Sequence, residues 1–411
     1  MTGQNVKRKL KQIAATYPHL KKDIRKLQIR LNGACTASEF DSALRDFMGE
    51  HPDDVGFILE QLLHKDLNIE TEISTGKTYP VHEPFPSEIR QRIDFGEQYD
   101  HLRNWSNTIK RLPEYTQPLP ELNVTFVKRA KDVWQKNIYG NEEVFDSILR
   151  HCIEYVRTGK TMPILLVGEP GIGKTAVARN YAKILGLPCS FISAPSASEG
   201  RSLSGAPNIY SGAGAGVIAQ AMIDHSAGNP VIVIDEIEKV GSSAGRGALF
   251  HDELLSLLDE SNREWFDNYL EVKVDASHIP FIFTANDKEL VPVALLDRMD
   301  VIKMDSPTLE MLLGITKKFI FPAVMKKYDC ELVVFGTPEL ELLVHNLWDN
   351  GFKSCRAYQK AVDTIMSKAF LNALLNECIV HITETDVKDA VEKCAENRRE
   401  KKNIGFCACG A

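Results

Sequence analysis

A glycine-rich turn in the middle of the chain carries the residue types that bind phosphate. It lies between an apolar run at 163–167 and a helix-forming segment that begins at Lys174. Glycines let backbone N–H groups turn towards a phosphate chain, and the helix N-terminus adds partial positive charge. In such a turn the lysine reaches the β- and γ-phosphates, and the hydroxyl of Thr175 ligates Mg²⁺. The sequence therefore predicts a nucleoside triphosphate site. The residues predicted to line it are Gly168, Glu169, Pro170, Gly171, Ile172, Gly173, Lys174, Thr175 and Ala176.

Two later apolar runs end in polar side chains that could complete this site. The run Val231–Asp235 is β-branched up to its acid, and Glu236 follows directly. Buried parallel strands have this composition, and open α/β sheets bind ligands at the carboxyl ends of their strands. Asp235 is therefore predicted to hold the Mg²⁺ shell, and Glu236 to polarise an attacking water. The next run ends in Asn286, which could hydrogen-bond that water or the γ-phosphate, or could simply close a strand-end turn.

Arg298 lies just before the last apolar run of this region, between Asp297 and Asp300. At that position it is poorly placed for the site of its own chain, but it could reach the nucleotide of a neighbouring copy. An arginine supplied in trans stabilises transition-state charge and is worth roughly 10³–10⁵ in rate. The alternative is a surface arginine paired with one of the two acids, and position alone does not decide between these interpretations.

Short apolar runs alternate with helical patterns from about residue 124, which predicts a parallel α/β sheet. The predicted strands are Ile164–Val167, Cys189–Ser193, Val231–Asp235, Phe281–Ala285 and 301–304. Beyond residue 305 the pattern is almost entirely helical, with one short strand at 379–382. The predicted fold class is α/β: a five-stranded parallel sheet between helices, followed by a small helical lid and preceded by a helical N-terminal region. The predicted boundaries are 1–122 for an N-terminal accessory region, 123–305 for the P-loop domain, 306–396 for the lid and 397–411 for a flexible tail.

Composition and charge narrow the class of protein. The 411 residues are 44% hydrophobic, and no apolar run approaches the ~18 residues that span a bilayer. The nine cysteines are dispersed and the N-terminus has no apolar signal-peptide core, so we expect a cytoplasmic protein without a membrane partner. Residues 1–30 hold nine Lys or Arg and one acid, which gives this segment a charge of +8. Because the net charge of the whole chain is −7, residues 31–411 carry a net charge of −15. The basic segment could contact nucleic acid or an acidic partner, although a solvated helix face explains it as well.

Taken together, these motifs resemble the AAA+ ATPases, and in particular the ATPase module of the Lon proteases. The resemblance covers roughly residues 97–395 and is carried by the strings NIYG at 137–140, FDNYLEV at 266–272, LLDRMDVI at 295–302 and SCRAYQKA at 354–361. It implies that the nucleotide is ATP, with Tyr139 and Gly140 on the adenine side. It also implies that Asn286 is the residue called the first sensor and that Arg298 is the arginine finger. Arg356 would contact the γ-phosphate of the nucleotide bound by its own chain. Members of this family assemble as rings, so a homo-oligomer, hexameric by resemblance, is expected.

A glycine-alanine loop at 206–216 contains a single aromatic residue, Tyr210. In the Lon-like alignment this tyrosine lies at the aromatic of the axial pore loop, which grips an extended polypeptide. The alternative is a loop tyrosine packed on the core. Family members usually carry basic residues just before this aromatic, where Ala206, Pro207 and Asn208 stand in this chain. The resemblance therefore implies a polypeptide substrate but leaves the strength of grip open.

Lon enzymes continue into a peptidase domain with a serine nucleophile and a lysine base. No serine follows Ser367 in this sequence, so we expect no peptidase. The expected function is an ATP-hydrolysing motor that remodels, unfolds or translocates proteins. Two alternatives stay open. One is a nucleic-acid-dependent ATPase that uses residues 1–30, which the acidic remainder of the chain disfavours. The other is an ATPase subunit that recruits a separate protease or nuclease through the N-terminal region.

Overall fold

A computed structural model of the chain describes residues 78–96, 100–195, 203–208, 210, 212–239, 246–328 and 332–407. All of these residues belong to one compact unit, which begins at residue 76. The predictions for the basic segment and for the helical patterns before residue 78 lie outside the described residues. Within the described part of the chain, none of the helices is both long enough and apolar enough to cross a membrane.

Four helices come first in this unit, strands are then interspersed with helices up to Lys303, and helices dominate the remainder. The helices are α1 (Ser87–Gly96), α2 (Asp100–Ile109), α3 (Val124–Asn137), α4 (Glu142–Thr158), α5 (Lys174–Leu185), α6 (Val217–His225), α7 (Arg246–Leu257), α8 (Val293–Leu296), α9 (Leu309–Ile315), α10 (Phe321–Tyr328), α11 (Thr337–Asp349), α12 (Cys355–Asn376) and α13 (Glu384–Cys407). The strands are β1 (Ile164–Val167), β2 (Cys189–Ser193), β3 (Val231–Asp235), β4 (Trp265–Asp267), β5 (Val272–Val274), β6 (Phe281–Ala285), β7 (Asp300–Lys303), β8 (Val333–Val334) and β9 (Val380–His381). Short 3₁₀ turns lie at Ile237–Lys239, Glu260–Glu264 and Lys288–Leu290.

The central sheet has five parallel strands in the order β2-β3-β6-β1-β7, which confirms the predicted fold class. The first four residues of β3 and every residue of β1 and β6 are buried, because helices cover both faces of the sheet. Alternate side chains of these strands enter two different cores. One core takes Leu165, Val167, Ile232, Ile234 and Phe283, and the other takes Ile164, Leu166, Val231, Val233 and Ile282. The carboxyl ends of β1, β3 and β6 therefore meet at one edge of a rigid layer.

The lid is a helical unit with its own core, formed by α9 to α13. The strand predicted at 379–382 is present as β9, but it pairs in parallel with β8, which the sequence did not reveal because it is two residues long. Helix α13 extends to Cys407, into the segment 397–411 that the sequence analysis assigned to a flexible tail. Residues 396–402 of this helix are rich in Glu, Arg and Lys, which are good helix formers.

The described residues between 78 and 122 are anchored to the sheet domain. Val81, Trp105 and Ile109 are buried in the same core as the β3 and β6 side chains. The guanidinium of Arg92 lies 4.4 Å from the centre of the Trp105 ring and donates to Glu271 at 2.5 and 3.3 Å. This segment thus supports one face of the sheet, while the boundary at residue 122 stays a prediction.

Candidate nucleotide-binding site

The glycine-rich turn connects β1 to α5 directly. Gly171 and Gly173 adopt left-handed backbone conformations, with φ of +81° and +110°, which favour glycine because other residues have a Cβ. A Cβ on Gly168 would collide with the carbonyl oxygen of Met304. The turn is therefore built to bring the backbone close to the N-terminus of α5, an arrangement that binds anions. Thr175 lies half-buried in the first turn of that helix.

Lys174 is the buried cation of this turn, with only 8% of its surface exposed. Its ammonium group donates to the carbonyl oxygens of Gly168 at 2.5 Å and Glu169 at 3.1 Å, and to Oδ1 of Asn286 at 2.9 Å. These contacts use all three of its donors. Burial lowers the pKa of Lys174, and nearby carboxylates, Glu238 first, oppose that shift. The site thus holds a cation that a triphosphate can attract.

The acidic pair follows β3, next to the strand that ends at Asn286. The hydroxyl of Thr284 donates to Oδ1 of Asp235 and accepts from the backbone N–H of Glu236 at 3.2 Å. Glu236 has a left-handed backbone, with φ of +60°. Its carboxylate accepts a hydrogen bond of 2.6 Å from Lys239, and this contact raises the pKa of Lys239. The two acids that the sequence assigned to metal and water therefore lie beside Lys174 and Asn286.

Sequence reasoning missed Glu238. Its Oε1 accepts from the side-chain Nδ2 of Asn286 at 2.6 Å and from the Asn286 backbone N–H at 3.2 Å. A signal was present, because Asp235 and Glu236 are followed two residues later by this third acid. The amide of Asn286 consequently lies between Glu238 on its nitrogen side and Lys174 on its oxygen side.

The lid closes over this site at two places. At the first, the ring of Tyr139 packs on Gly314 of α9 so tightly that a Cβ there would overlap the ring. The neighbouring Gly140, at φ +69°, faces Met311 of the same helix. These contacts place the residues predicted for the adenine side against the lid.

The second place is the glycine-rich turn between β1 and α5, which is the phosphate loop of this site. The backbone N–H of Cys355, at the start of α12, donates to the carbonyl oxygen of Gly171 at 2.9 Å. A Cβ on Gly171 would lie 3.4 Å from Cγ of Arg356. The charge of Arg356 also contributes to the lowered pKa of Lys174. Arg356 thus lies beside the phosphate loop of its own chain, while its contact to the γ-phosphate stays a prediction.

Arg298 is held by an acid that the sequence did not suggest. Its Nε and Nη2 donate to the carboxylate of Asp259 at 2.6 and 3.3 Å, and its Nη1 donates to the carbonyl oxygen of Ala294 at 2.9 Å. This pairing raises the pKa of Arg298 and lowers that of Asp259. Of the two acids considered earlier, Asp300 instead contacts His151 at 2.7 Å. The contacts of Arg298 within the described residues are therefore not with its own phosphate loop.

The loop that carries Tyr210 is fixed to the domain by contacts of Gly216. Residue Tyr210 is 63% exposed, so it is not packed on the core. At the loop's end, the backbone N–H of Gly216 donates to Oδ2 of the fully buried Asp267 at 2.8 Å. A Cβ on Gly216 would collide with the carbonyl oxygen of Leu203, three residues before the loop begins. The loop therefore leaves and re-enters the domain at one point.

Residues 164–305 match the sequence model of the family described as "ATPase family associated with various cellular activities (AAA)". They begin at β1, contain the phosphate loop, Asp235, Asn286 and Arg298, and end just after β7. This part of the chain is an AAA-family ATPase domain.

Within that class, the chain is related to the Lon proteases. It is 36% identical to the Lon protease of Chlamydia pneumoniae over 233 residues, which cover 54% of this chain and 27% of the relative. It is 31% identical to the Lon protease of Flavobacterium johnsoniae over 305 residues, which cover 72% of this chain and 36% of the relative. The chain thus spans about a third of the length of the Lon proteases it matches.

A solved structure also shows some likeness. A Thermotoga maritima RuvB, described as a Holliday junction branch migration motor, is 15% identical over 62% of this chain and 69% of that chain. Its TM-score to this chain is 0.41.

Proposed function

We propose that this AAA domain hydrolyses ATP and uses the energy to unfold or translocate polypeptides. The observation that carries the proposal is the convergence of Lys174, Asp235, Glu236 and Asn286 at adjoining strand ends. These residues come from three separate parts of the sequence. A buried lysine, two carboxylates and an amide are the groups that phosphoryl transfer to water requires.

The residues present fit a bound ATP with Mg²⁺. The glycine turn brings the backbone to the helix N-terminus, and Lys174 has three donors that can be redirected to phosphate oxygens. The Thr175 hydroxyl and the Asp235 carboxylate are oxygen ligands of the kind Mg²⁺ takes. When bound there, Mg²⁺ would neutralise charge on the phosphates. Tyr139 and Gly140 would contact the adenine.

In this proposal Glu236 orients and polarises the attacking water. Its carboxylate is paired with Lys239, and the side chain of Glu236 is 39% exposed. Solvent screens an exposed pair of this kind, so the contact can exchange during turnover. Arg356 would contact the γ-phosphate from the lid, and Asn286 would act as the first sensor. Opening or closing of the lid would then depend on the state of the nucleotide.

The proposed assembly is a ring of copies, hexameric by resemblance, in which Arg298 reaches the neighbour's nucleotide. The side chain of Arg298 is 34% exposed, and its carboxylate partner Asp259 is 48% exposed. A guanidinium on the surface with one exchangeable carboxylate can be transferred to a phosphate across an interface. Each site would thereby depend on the next subunit.

Polypeptide is the proposed substrate because Tyr210 is an exposed aromatic on a loop whose base is fixed to the ATPase core. Movement of that core would then be passed to the tyrosine. A cytoplasmic location and the absence of a peptidase stay predictions. Nucleic acid as substrate, and recruitment of a separate effector through residues 1–122, are the alternatives. Both depend largely on segments outside the described residues.

Steady-state ATP hydrolysis with added ligands tests the proposal. We expect a permanently unfolded polypeptide to stimulate hydrolysis, and Tyr210→Ala to abolish the stimulation while basal hydrolysis continues. Tyr115→Ala is the matched control, because Tyr115 is a similarly exposed tyrosine at 59%. Stimulation by DNA alone, unchanged in Tyr210→Ala, would move the function to nucleic acid.

A further inference from the structure

Glu238 makes contacts that none of the roles above explains. It lies in the 3₁₀ turn that follows Glu236, and only one of its two carboxylate oxygens is engaged. Oε1 accepts both the backbone N–H and the side-chain Nδ2 of Asn286. Oε2 is enclosed and has no hydrogen-bond partner among the described residues. A buried carboxylate oxygen without a partner is costly, so a structural role alone explains this acid poorly.

The two neighbours of Asn286 fix which way its amide points. With the nitrogen towards Glu238 and the oxygen towards Lys174, both contacts are attractive. Rotating the amide by half a turn would put its oxygen against a carboxylate and its NH₂ group against an ammonium. Both contacts would then be repulsive, because a carboxylate only accepts and an ammonium only donates.

Glu238 becomes the more important of these neighbours once a nucleotide binds. In the structure all three donors of Lys174 are used, two by loop carbonyls and one by Asn286. Contacts to the β- and γ-phosphates must draw on these donors. When Lys174 donates to phosphate oxygens instead of Asn286, Glu238 is the remaining group that orients Asn286. The oxygen Oδ1 is then free to accept a hydrogen bond.

We propose that Glu238 is a positioning residue that holds Asn286 with its carbonyl oxygen towards the nucleotide, so that Asn286 aligns the attacking water. This inference rests on the proposed ATP hydrolysis and deepens it. Water can donate to Oδ1, whereas an unprotonated phosphate oxygen cannot. The contact with Glu238 therefore turns the oxygen of Asn286, rather than its NH₂ group, towards the nucleotide, and this orientation favours water over a phosphate oxygen as its partner.

The test compares Glu238→Ala with Glu238→Gln in the full chain. Alanine removes the acceptor that orients Asn286, and we expect kcat to fall roughly 10- to 100-fold, the loss typical of a mispositioned reacting group. The affinity for ATP, measured by equilibrium binding, should change less than threefold. Glutamine keeps an amide oxygen that can accept both N–H groups, so we expect it to retain at least a third of the wild-type kcat. Glu289→Ala is the matched control, because Glu289 is an exposed acid in the next 3₁₀ turn after Asn286.

A double-mutant cycle with Asn286→Ala separates this role from a merely structural one. If Glu238 acts through Asn286, the double variant should hydrolyse ATP no more slowly than Asn286→Ala alone. Additive losses would overturn the proposal, as would a wild-type kcat in Glu238→Ala. A loss of ATP affinity as large as the loss of kcat would also overturn it, because the role would then lie in binding. Thermal unfolding of each variant shows whether the fold is intact. A wild-type chain that hydrolyses no ATP would instead overturn the proposed function, and this inference with it.

Discussion

Asp267→Asn should release one end of the Tyr210 loop while leaving the rest of the domain in place. Asp267 is fully buried and accepts three backbone hydrogen bonds. Oδ2 accepts from Gly216 at 2.8 Å, while Oδ1 accepts from Tyr269 at 3.0 Å and Leu270 at 2.8 Å. An asparagine side chain has one oxygen and one NH₂ group. With its oxygen at the Oδ1 position, asparagine keeps the hydrogen bonds from Tyr269 and Leu270. Its NH₂ group then faces the N–H of Gly216, and two donors cannot form a hydrogen bond.

The magnitude follows from that single lost bond. Leaving a buried donor unsatisfied costs about 1–3 kcal/mol. At 1.4 kcal/mol per factor of ten, local opening at Gly216 should become roughly 5- to 150-fold more frequent. The change in global stability should be smaller, since burial raises the pKa of Asp267 and so already penalises its charge. Asparagine removes that penalty.

Hydrogen exchange of individual amides measures the effect directly, because exchange reports local opening. We expect faster exchange at Gly216 and unchanged protection at Tyr269 and Leu270 in the same variant. Asp275→Asn is the control, since Asp275 caps a different turn through the N–H of Ser277. Gly216 exchange at the wild-type rate in Asp267→Asn would refute the reasoning.

The same substitution alters the pH dependence of stability. Because the pKa of Asp267 in the fold lies above its ordinary 3.8, the folded state binds more protons than the unfolded state between the two values. Wild-type stability should therefore fall as the pH rises through this window. Asp267→Asn should lack that contribution, which urea unfolding at several pH values measures. An identical slope in both proteins would contradict the raised pKa.

The remaining predictions concern the nucleotide site. Glu236→Gln should bind ATP normally and turn over roughly 10²- to 10⁴-fold more slowly, and undiminished hydrolysis in a turnover assay would contradict its role. Arg298→Ala should lower hydrolysis by roughly 10³–10⁵ while isolated subunits still bind nucleotide, whereas lost binding would make Arg298 a contact to its own site. Asp259→Ala frees the same guanidinium and should hydrolyse ATP at no less than the wild-type rate. Gly314→Ala forces a Cβ into the ring of Tyr139, so ATP affinity in equilibrium binding should weaken by about 1–3 kcal/mol, and unchanged affinity would count against the adenine assignment.

The strand-loop-helix core was predictable because its signals are local. Four of the five central strands have the predicted bounds, and the fifth, β7, begins and ends one residue earlier than predicted. Strands of four or five apolar residues that end in chemistry-bearing side chains leave a strong pattern. The hairpin of β4 and β5 was missed because each strand has three residues, too few for alternation to be distinguished from chance.

The contacts of the site were less predictable than its residues. Asp259 and Arg298 are 39 residues apart, and Asp267 meets the Tyr210 loop across 51 residues. Spacing along a chain cannot reveal such pairs, since they depend on how separate elements pack. The same holds for the orientation of Asn286, which depends on Lys174 from one direction and Glu238 from the other. Sequence identified the groups, and packing determined which atoms face one another.

In the proposed function, ATP hydrolysis moves polypeptide by means of Tyr210. The most direct measurement is ATP-dependent unfolding of a fluorescent protein that carries an unstructured tail, followed by loss of its fluorescence. We predict that the wild-type chain unfolds this substrate with ATP, and that Tyr210→Ala hydrolyses ATP but leaves the fluorescence unchanged. Wild-type hydrolysis without loss of fluorescence, or equal loss in Tyr210→Ala, would contradict the account.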